Sequence, residues 1–171
     1  MGKIIGSLWL LGGIASLLYS WVSEQKRWNR RLEEFLVFLQ KSIFAMEEEK
    51  VRVIEHLRGY RSRDEVLEDT LQEIADRLQM NIYPSGQMVW EEVFLEKKSA
   101  WDYDREIFEL MLAVGNGFFG RKRSENVCFL RKSVKQLEQQ RDKRKEKDMQ
   151  ERKVWIPVGM LSGIMLMIIL I

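Results

Sequence analysis

The chain has 171 residues, with 28 Lys and Arg against 26 Asp and Glu, one His and one Cys. A single cysteine excludes an intramolecular disulfide and a cysteine-based metal cluster, and a single histidine excludes a His-rich metal site. The basic residues of 131–153 are not interleaved with aromatic side chains, as nucleic-acid surfaces usually are. We therefore expect no nucleic-acid partner.

The first apolar stretch covers residues 4–22 and contains no charge. Lys3 precedes it, as in a signal peptide, but the exit Ser20–Glu24 has no small-x-small cleavage site. Lys26 and Arg27 follow the stretch, and positive charge collects on the cytoplasmic side of membrane spans. This pattern predicts a transmembrane helix at 4–22 that leads into the cytoplasm.

The second apolar stretch covers residues 154–171 and also has no charge. As a helix it would measure about 27 Å, close to the ~30 Å core of a bilayer. A core helix of a soluble domain would keep a polar face, which this stretch lacks. With Arg152 and Lys153 on its inner side, it predicts a second transmembrane helix and a cytoplasmic domain over residues 23–153.

Small residues recur at four-residue spacing in both predicted spans. Such spacing lets membrane helices approach closely, within one chain or between chains. Glycine is also simply frequent in membrane helices. The candidate packing residues are Gly12, Ser16, Ser20, Gly159 and Gly163.

The cytoplasmic segment opens with apolar residues spaced alternately by four and three, interrupted once by Lys50. No glycine lies between Gly13 and Gly59, so we expect one helix that continues unbroken to Gly59. The stripe fits a helix packed in a bundle or a coiled coil between chains, and we favour the bundle. The candidate packing stripe is Leu32, Leu36, Leu39, Ile43, Met46, Val53 and Leu57.

Three further amphipathic helices follow. Ser62 and Glu65 have capping-box spacing and predict the start of the first of them, and the residues from Asn81 to Gly86 predict its closing turn. A short helix over 87–98 carries Trp90, which we expect to anchor the core. Ser99 or Asp102 would cap the next helix. The three apolar faces are Leu67, Leu71, Ile74 and Leu78; Val89, Trp90, Val93 and Phe94; and Ile107, Leu110, Met111 and Val114.

Gly115, Gly117 and Gly120 have the spacing of the phosphate-binding G-x-G-x-x-G motif. The motif needs a preceding β-strand, whereas a helical stripe precedes these glycines. We therefore expect a helix C-cap and a tight turn between helices.

The last helix begins near Ser124 and carries Val127, Leu130, Val134 and Leu137 on its apolar side. Cys128 falls on an apolar helical stripe, and we expect a packed thiol. Residues 138–153 are polar on all sides, which is typical of a helix that bridges solvent, so we expect a charged stalk there. Residues 23–120 hold 14 basic and 20 acidic side chains, whereas residues 121–153 hold 13 basic and 6 acidic ones.

These elements predict an all-α protein: an antiparallel helical bundle flanked by N-terminal and C-terminal transmembrane helices, with a long charged helix leading into the second. We find no catalytic motif, and His56 lies beside the stripe, where a surface imidazole is expected. We expect neither an enzyme nor a bound cofactor or metal.

The chain resembles the stage III sporulation protein AB family over its whole length. The resemblance rests on Trp90, on the stretch Asp104–Phe108, on the Gly115–Gly117 turn with the following helix through Leu130 and Leu137, and on the ending from Lys153 to Gly163. Where the family tends to have a Pro-Leu-Pro-like turn, this chain reads as uninterrupted helix from Ala45 to Leu57.

The resemblance implies a component of a secretion-like membrane complex between mother cell and forespore, on the mother-cell side of the outer forespore membrane. It implies a helical domain similar to the cytoplasmic domain of the type II secretion inner-membrane platform protein. The implied partners are a cytosolic secretion-type ATPase of the same operon and other membrane components. The alternative is a self-associating coiled-coil membrane protein without a motor partner.

Overall fold

The computed structural model describes residues 2–49, 52–120 and 122–170, and within the helices it leaves out several side chains, chiefly in 2–25 and 160–170. The described residues form helices and no strand, which confirms the all-α class. The elements are α1 (Gly2–Phe44), a π-helical turn (Ala45–Glu49), α2 (Val53–Gly59), α3 (Glu65–Met80), α4 (Gly86–Glu96), α5 (Lys98–Trp101), α6 (Arg105–Phe119) and α7 (Arg123–Leu170).

The chain divides into two compact units. Trp28–Arg141 forms the bundle unit, and Met1–Arg27 together with Asp142–Ile171 forms the terminal unit. Within the described residues, no helix combines the length and the apolar character that crossing a bilayer requires. Many side chains of the predicted spans 4–22 and 154–171 lie outside the described ones.

Three pairs of helices in the bundle unit run antiparallel, as the residues in contact show: α3 with α4, α4 with α6, and α6 with α7. In each pair of helices, an early residue of one contacts a late residue of the other, which is the arrangement expected of helices joined by short connections. The contacts are Lys97 with Asp69 for α3 and α4, Gly86 with Phe119 for α4 and α6, and Gln140 with Glu106 for α7 and α6.

Aromatic side chains fill the centre of the bundle unit. The rings of Trp90 and Phe94 stack with centroids 4.7 Å apart, and Phe94 stacks on Trp101 at 5.2 Å. All three are fully buried, and Trp90 Nε1 donates a hydrogen bond of 3.0 Å to the carbonyl oxygen of Met111. The expectation that Trp90 anchors the core is confirmed, and each such side chain stabilises the fold by about 1.5–3 kcal/mol.

The first helix and the α3 N-terminus are joined by a largely buried ion pair. Arg31 Nε donates to both carboxylate oxygens of Asp64 at 3.0 Å, and the two side chains are each 12% exposed. Asp64 Oδ1 also accepts from the Leu67 backbone N–H at 3.1 Å, so Asp64 is the N-cap of α3. The predicted cap, Ser62, lies two residues earlier, and its Oγ accepts from the Asp64 N–H.

The predicted unbroken helix to Gly59 is wrong. Arg52 is extended, with φ −69° and ψ 138°, and α2 starts afresh at Val53. The Oγ of Ser42 lies 2.8 Å from Nε2 of His56, although a straight helix would separate residues 14 apart by about 21 Å. The chain therefore folds back, and the single stripe in the sequence is shared by two helices that face the same core.

The predicted glycine turn is wrong for Gly115 and Gly117, because α6 continues to Phe119, and right for Gly120, which is the C-cap of α6. A Cβ on Gly115 would lie 2.8 Å from Cδ1 of Trp90, and one on Gly117 would lie 2.6 Å from Cγ of Leu130. The two glycines therefore let α4 and α7 pack closely against α6. This packing overrides the cost of about 1 kcal/mol that glycine carries inside a helix.

Smaller corrections concern caps and the thiol. Ser99 lies inside α5, Asp102 ends α5 with φ 49°, and Asp104 stands at the N-cap of α6. Cys128 is exposed, so the expectation of a packed thiol is wrong. The side of α7 that faces the core carries Val127, Leu130, Val134 and Leu137, as predicted, and Cys128 lies outside it.

Candidate docking surface

The helices α3 and α4 concentrate the negative charge of the bundle unit. From the N-cap Asp64 to the C-cap Lys97 the sequence contains nine carboxylates and only two cations, Arg77 and Lys97, a net charge of −7. A helical hairpin with this charge attracts basic partners and repels acidic ones.

Large apolar side chains are exposed on the same hairpin. Met88 and Leu95 are 48% and 54% exposed and, being seven residues apart, lie on one face of α4 with Glu91 between them. Met80 and Ile82 are exposed at the turn that joins α3 to α4. We call these four residues, with Glu91 and Glu96, the α3–α4 face.

Arg77 lies in the crease between the two helices and holds three carboxylates. Its guanidinium donates to Glu73 at 2.5 Å, to Glu92 at 3.1 Å and to Glu96 at 2.5 Å. The hydrogen bond to Glu96 is the main reason that the pKa of Arg77 is raised, with Glu73 contributing next. The network fixes the positions of the carboxylates beside the apolar residues.

Lys97 adds a second link across the crease, pairing with Asp69 and, at 2.8 Å, with Glu73. Partial burial acts to lower the pKa of Lys97, but its hydrogen bonds to the two carboxylates outweigh this, and the net shift is upward. The hydrogen bond from Lys97 to Glu73 is also the largest cause of the lowered pKa of Glu73.

Tyr83 ties the connecting turn to α4. Its hydroxyl donates to Glu92 at 2.8 Å, and this hydrogen bond is the main cause of the raised pKa of Tyr83. Asn81 ends α3 in the left-handed conformation, and the Ser85 side chain caps α4 by accepting from the Met88 N–H at 3.3 Å. The turn and the face are therefore held together by local hydrogen bonds.

This arrangement suits binding to a protein surface. Exposed apolar residues surrounded by charge are typical of interaction sites, where apolar contacts give affinity and charges give orientation and rate. In the described part of the chain, no group of three His, Cys, Asp or Glu side chains is placed to hold a metal ion.

The predicted packing stripe lies inside the bundle unit. Copies that paired through it would have to open their own core. Leu32, Leu36, Leu39, Ile43 and Leu57 are buried, and Met46 and Val53 pack against the core while partly exposed.

The predicted intramembrane packing residues lie on the terminal parts of α1 and α7. Gly12, Ser16 and Ser20 are exposed on α1, and Gly159 is half-buried on α7. Gly163 lies in α7, and its burial is outside what the structure describes. Their role in helix packing stays a prediction.

The comparisons with known proteins bear on the whole chain. Residues 3–171 match the family model described as Stage III sporulation protein AB. The chain belongs to the stage III sporulation protein AB family. The resemblance seen in the sequence is thereby confirmed, and membership of this family gives the chain a role in sporulation. Neither the curated proteins nor the solved structures that were compared gave a match.

The sequence interpretation missed the α3–α4 face of this stage III sporulation protein AB family member. One signal was available, because Met88 and Leu95 lie outside the apolar stripe that buries Trp90 and Phe94. Apolar residues off the core stripe, next to an excess of carboxylates, indicate a surface that binds another protein.

Proposed function

We propose that the chain is a membrane-anchored, non-enzymatic adapter that docks a cytosolic secretion-type ATPase to the membrane components of a sporulation complex. The α3–α4 face is the observation that carries the docking step. It combines four exposed apolar side chains with the carboxylates of Glu91 and Glu96, on a helical hairpin whose net charge is −7. A partner surface with an apolar socket between Lys and Arg side chains would complement it.

The anchoring step rests on the charge-free stretches 4–22 and 154–171. In the second stretch, every large apolar side chain that the structure describes is exposed, as expected of residues that contact lipid. These side chains are Val154, Trp155, Ile156, Val158, Leu161, Met165 and Ile168. The basic residues that follow 4–22 and precede 154–171 favour a cytoplasmic bundle unit, on the mother-cell side of the outer forespore membrane.

The test is binding of the purified ATPase of the same operon to the full chain in lipid nanodiscs. Leu95→Asp removes an apolar contact and adds repulsion, and Glu91→Lys reverses a charge on the same face. Each should weaken binding at least tenfold, since a central apolar contact of an interface contributes about 2 kcal/mol or more. The matched control is Met149→Asp, which places the same charge on an exposed apolar residue of α7 that is not part of the α3–α4 face.

We expect the control to bind like the wild type, and we expect binding to weaken as salt is raised from about 50 to about 300 mM, because salt screens exposed charges. The proposal fails if the wild-type chain does not bind at either salt concentration. It also fails if Leu95→Asp and Glu91→Lys both bind with wild-type affinity.

A further inference from the structure

A second apolar surface lies at the junction of α1 and the π-helical turn. Phe44 is the last residue of α1, and its ring is 59% exposed. Val37, seven residues earlier on the same side of α1, is also exposed. A single π-helical turn within or beside an α-helix often marks a functional position.

Phe44 stands between two grooves and lines both. One groove, of about 330 Å³, lies between α1 and α7, and the other, of about 440 Å³, lies between α1 and α2. Pockets of about 300–1,000 Å³ hold whole drug-sized molecules, so the volume of either groove exceeds that of a single phenyl ring. The remaining lining residues are Gln40, Ile43, Glu47, Arg131 and Val134 in the first groove, and Gln40, Lys41, Ala45 and His56 in the second.

The charged side chains at these grooves nearly balance. Arg131 Nη2 donates to both carboxylate oxygens of Glu47 at 2.7 Å, and Lys41 Nζ lies 5.4 Å from the centre of the Tyr60 ring. A copy of this surface would therefore meet little electrostatic repulsion from itself. The hairpin that carries the α3–α4 face, with its net charge of −7, would repel its own copy.

We call Phe44, Val37 and the two grooves the Phe44 surface. We propose that two copies of this chain associate through this surface, with the Phe44 ring of each copy in a groove of the other. A projecting ring beside a groove that can hold it is self-complementary, which is what a two-fold dimer interface requires. The ring of Phe44 lies outside the packing stripe, and the surface shares no residue with the α3–α4 face. The proposal is therefore independent of the docking of an ATPase.

The first test is sedimentation velocity of the full chain in detergent micelles over a range of protein concentrations. The wild type should show a monomer–dimer equilibrium, and Phe44→Asp should raise the concentration of half-dissociation at least tenfold. Ile82→Asp is the matched control, because Ile82 is an exposed apolar residue of the α3–α4 face. A wild-type chain that is monomeric throughout, or a midpoint that Phe44→Asp leaves unchanged, overturns the proposal, and so does an equal loss in Ile82→Asp.

The second test does not depend on the folding of the Phe44 variant. In a Cys128→Ser background, which removes the one native thiol, Gln40→Cys places a thiol in both grooves. A short bismaleimide should link two copies of this variant in membranes. Gln79→Cys, at an exposed position on α3, should give little product. Absent cross-linking at position 40, or equal cross-linking at position 79, contradicts the dimer.

Discussion

Two arginine clusters in the bundle unit use the same chemistry at different depths. Arg31 and Asp64 are each only 12% exposed and join α1 to α3. Arg77 is 20% exposed, and its partners Glu92 and Glu96 are 42% and 49% exposed. The pair is part of the fold, because little water reaches either charge to replace its partner. The open network holds its carboxylates in place while leaving them accessible to a binding protein.

The largest effect is expected for Asp64→Ala. This change leaves Arg31 largely buried without its carboxylate and removes the N-cap of α3, and it should lower the free energy of unfolding by about 3–5 kcal/mol. Asp76→Ala, which breaks the exposed pair with Arg58, should cost under about 1 kcal/mol. Urea unfolding followed by circular dichroism measures both. Equal losses of unfolding free energy in Asp64→Ala and Asp76→Ala would contradict the distinction between buried and exposed ion pairs.

The glycines give the same contrast for packing. Gly117→Ala places a methyl group 2.6 Å from Cγ of Leu130, and overpacking of this kind costs about 1–3 kcal/mol, offset by about 1 kcal/mol of helix propensity. Gly59→Ala, with open space around it, should be neutral or slightly stabilising. Thermal unfolding of the two variants should therefore separate them. A Gly117→Ala protein more stable than Gly59→Ala would contradict the close packing of α6 on α7.

Arg77→Ala should cost only about 1 kcal/mol, although it removes contacts to three carboxylates, because these groups remain partly hydrated. The loss should shrink in high salt, whereas the loss from Asp64→Ala should persist, since salt screens exposed pairs more than buried ones. Urea unfolding in low and high salt tests this. If the stability lost in Arg77→Ala did not depend on salt, the Arg77 network would be as well shielded from solvent as the pair of Arg31 and Asp64.

The smallest effect concerns pH. Because Lys97 and Arg77 lower the pKa of Glu73, its ionised form stabilises the fold above the unfolded pKa of about 4.3. That contribution is lost as pH falls through the lower pKa of the folded state. In Glu73→Gln the free energy of unfolding should therefore fall less steeply below about pH 4.3. An unchanged slope would show that Glu73 is not held by the two cations.

Sequence periodicity correctly predicted the helices whose buried side follows from the spacing of their own apolar residues. The faces of α3 and α7, such as Leu67 and Leu71 or Leu130 and Leu137, are buried as expected, because each helix turns one apolar side to the core. The turn at Asn81–Gly86 followed from its own residues in the same way.

The remaining features depend on contacts between distant residues. The break before α2 has no proline or glycine to announce it, and it exists because His56 returns to Ser42 and Phe38. In the sequence, Gly115 and Gly117 indicate a turn, yet both lie inside α6, where Trp90 and Leu130 pack against them. The α3–α4 face and the Phe44 surface are defined by residues that stay out of the core, and such residues follow no regular period.

Hydroxyl-radical footprinting of the full chain in nanodiscs, with and without the ATPase, tests the docking most directly. Methionine side chains oxidise readily, and Met80 and Met88 are exposed on the α3–α4 face while Met149 is exposed elsewhere. We predict that the ATPase protects Met88 and Met80 and leaves the oxidation of Met149 and Phe44 unchanged. Binding of the ATPase with undiminished oxidation of Met88 and Met80 would contradict the account.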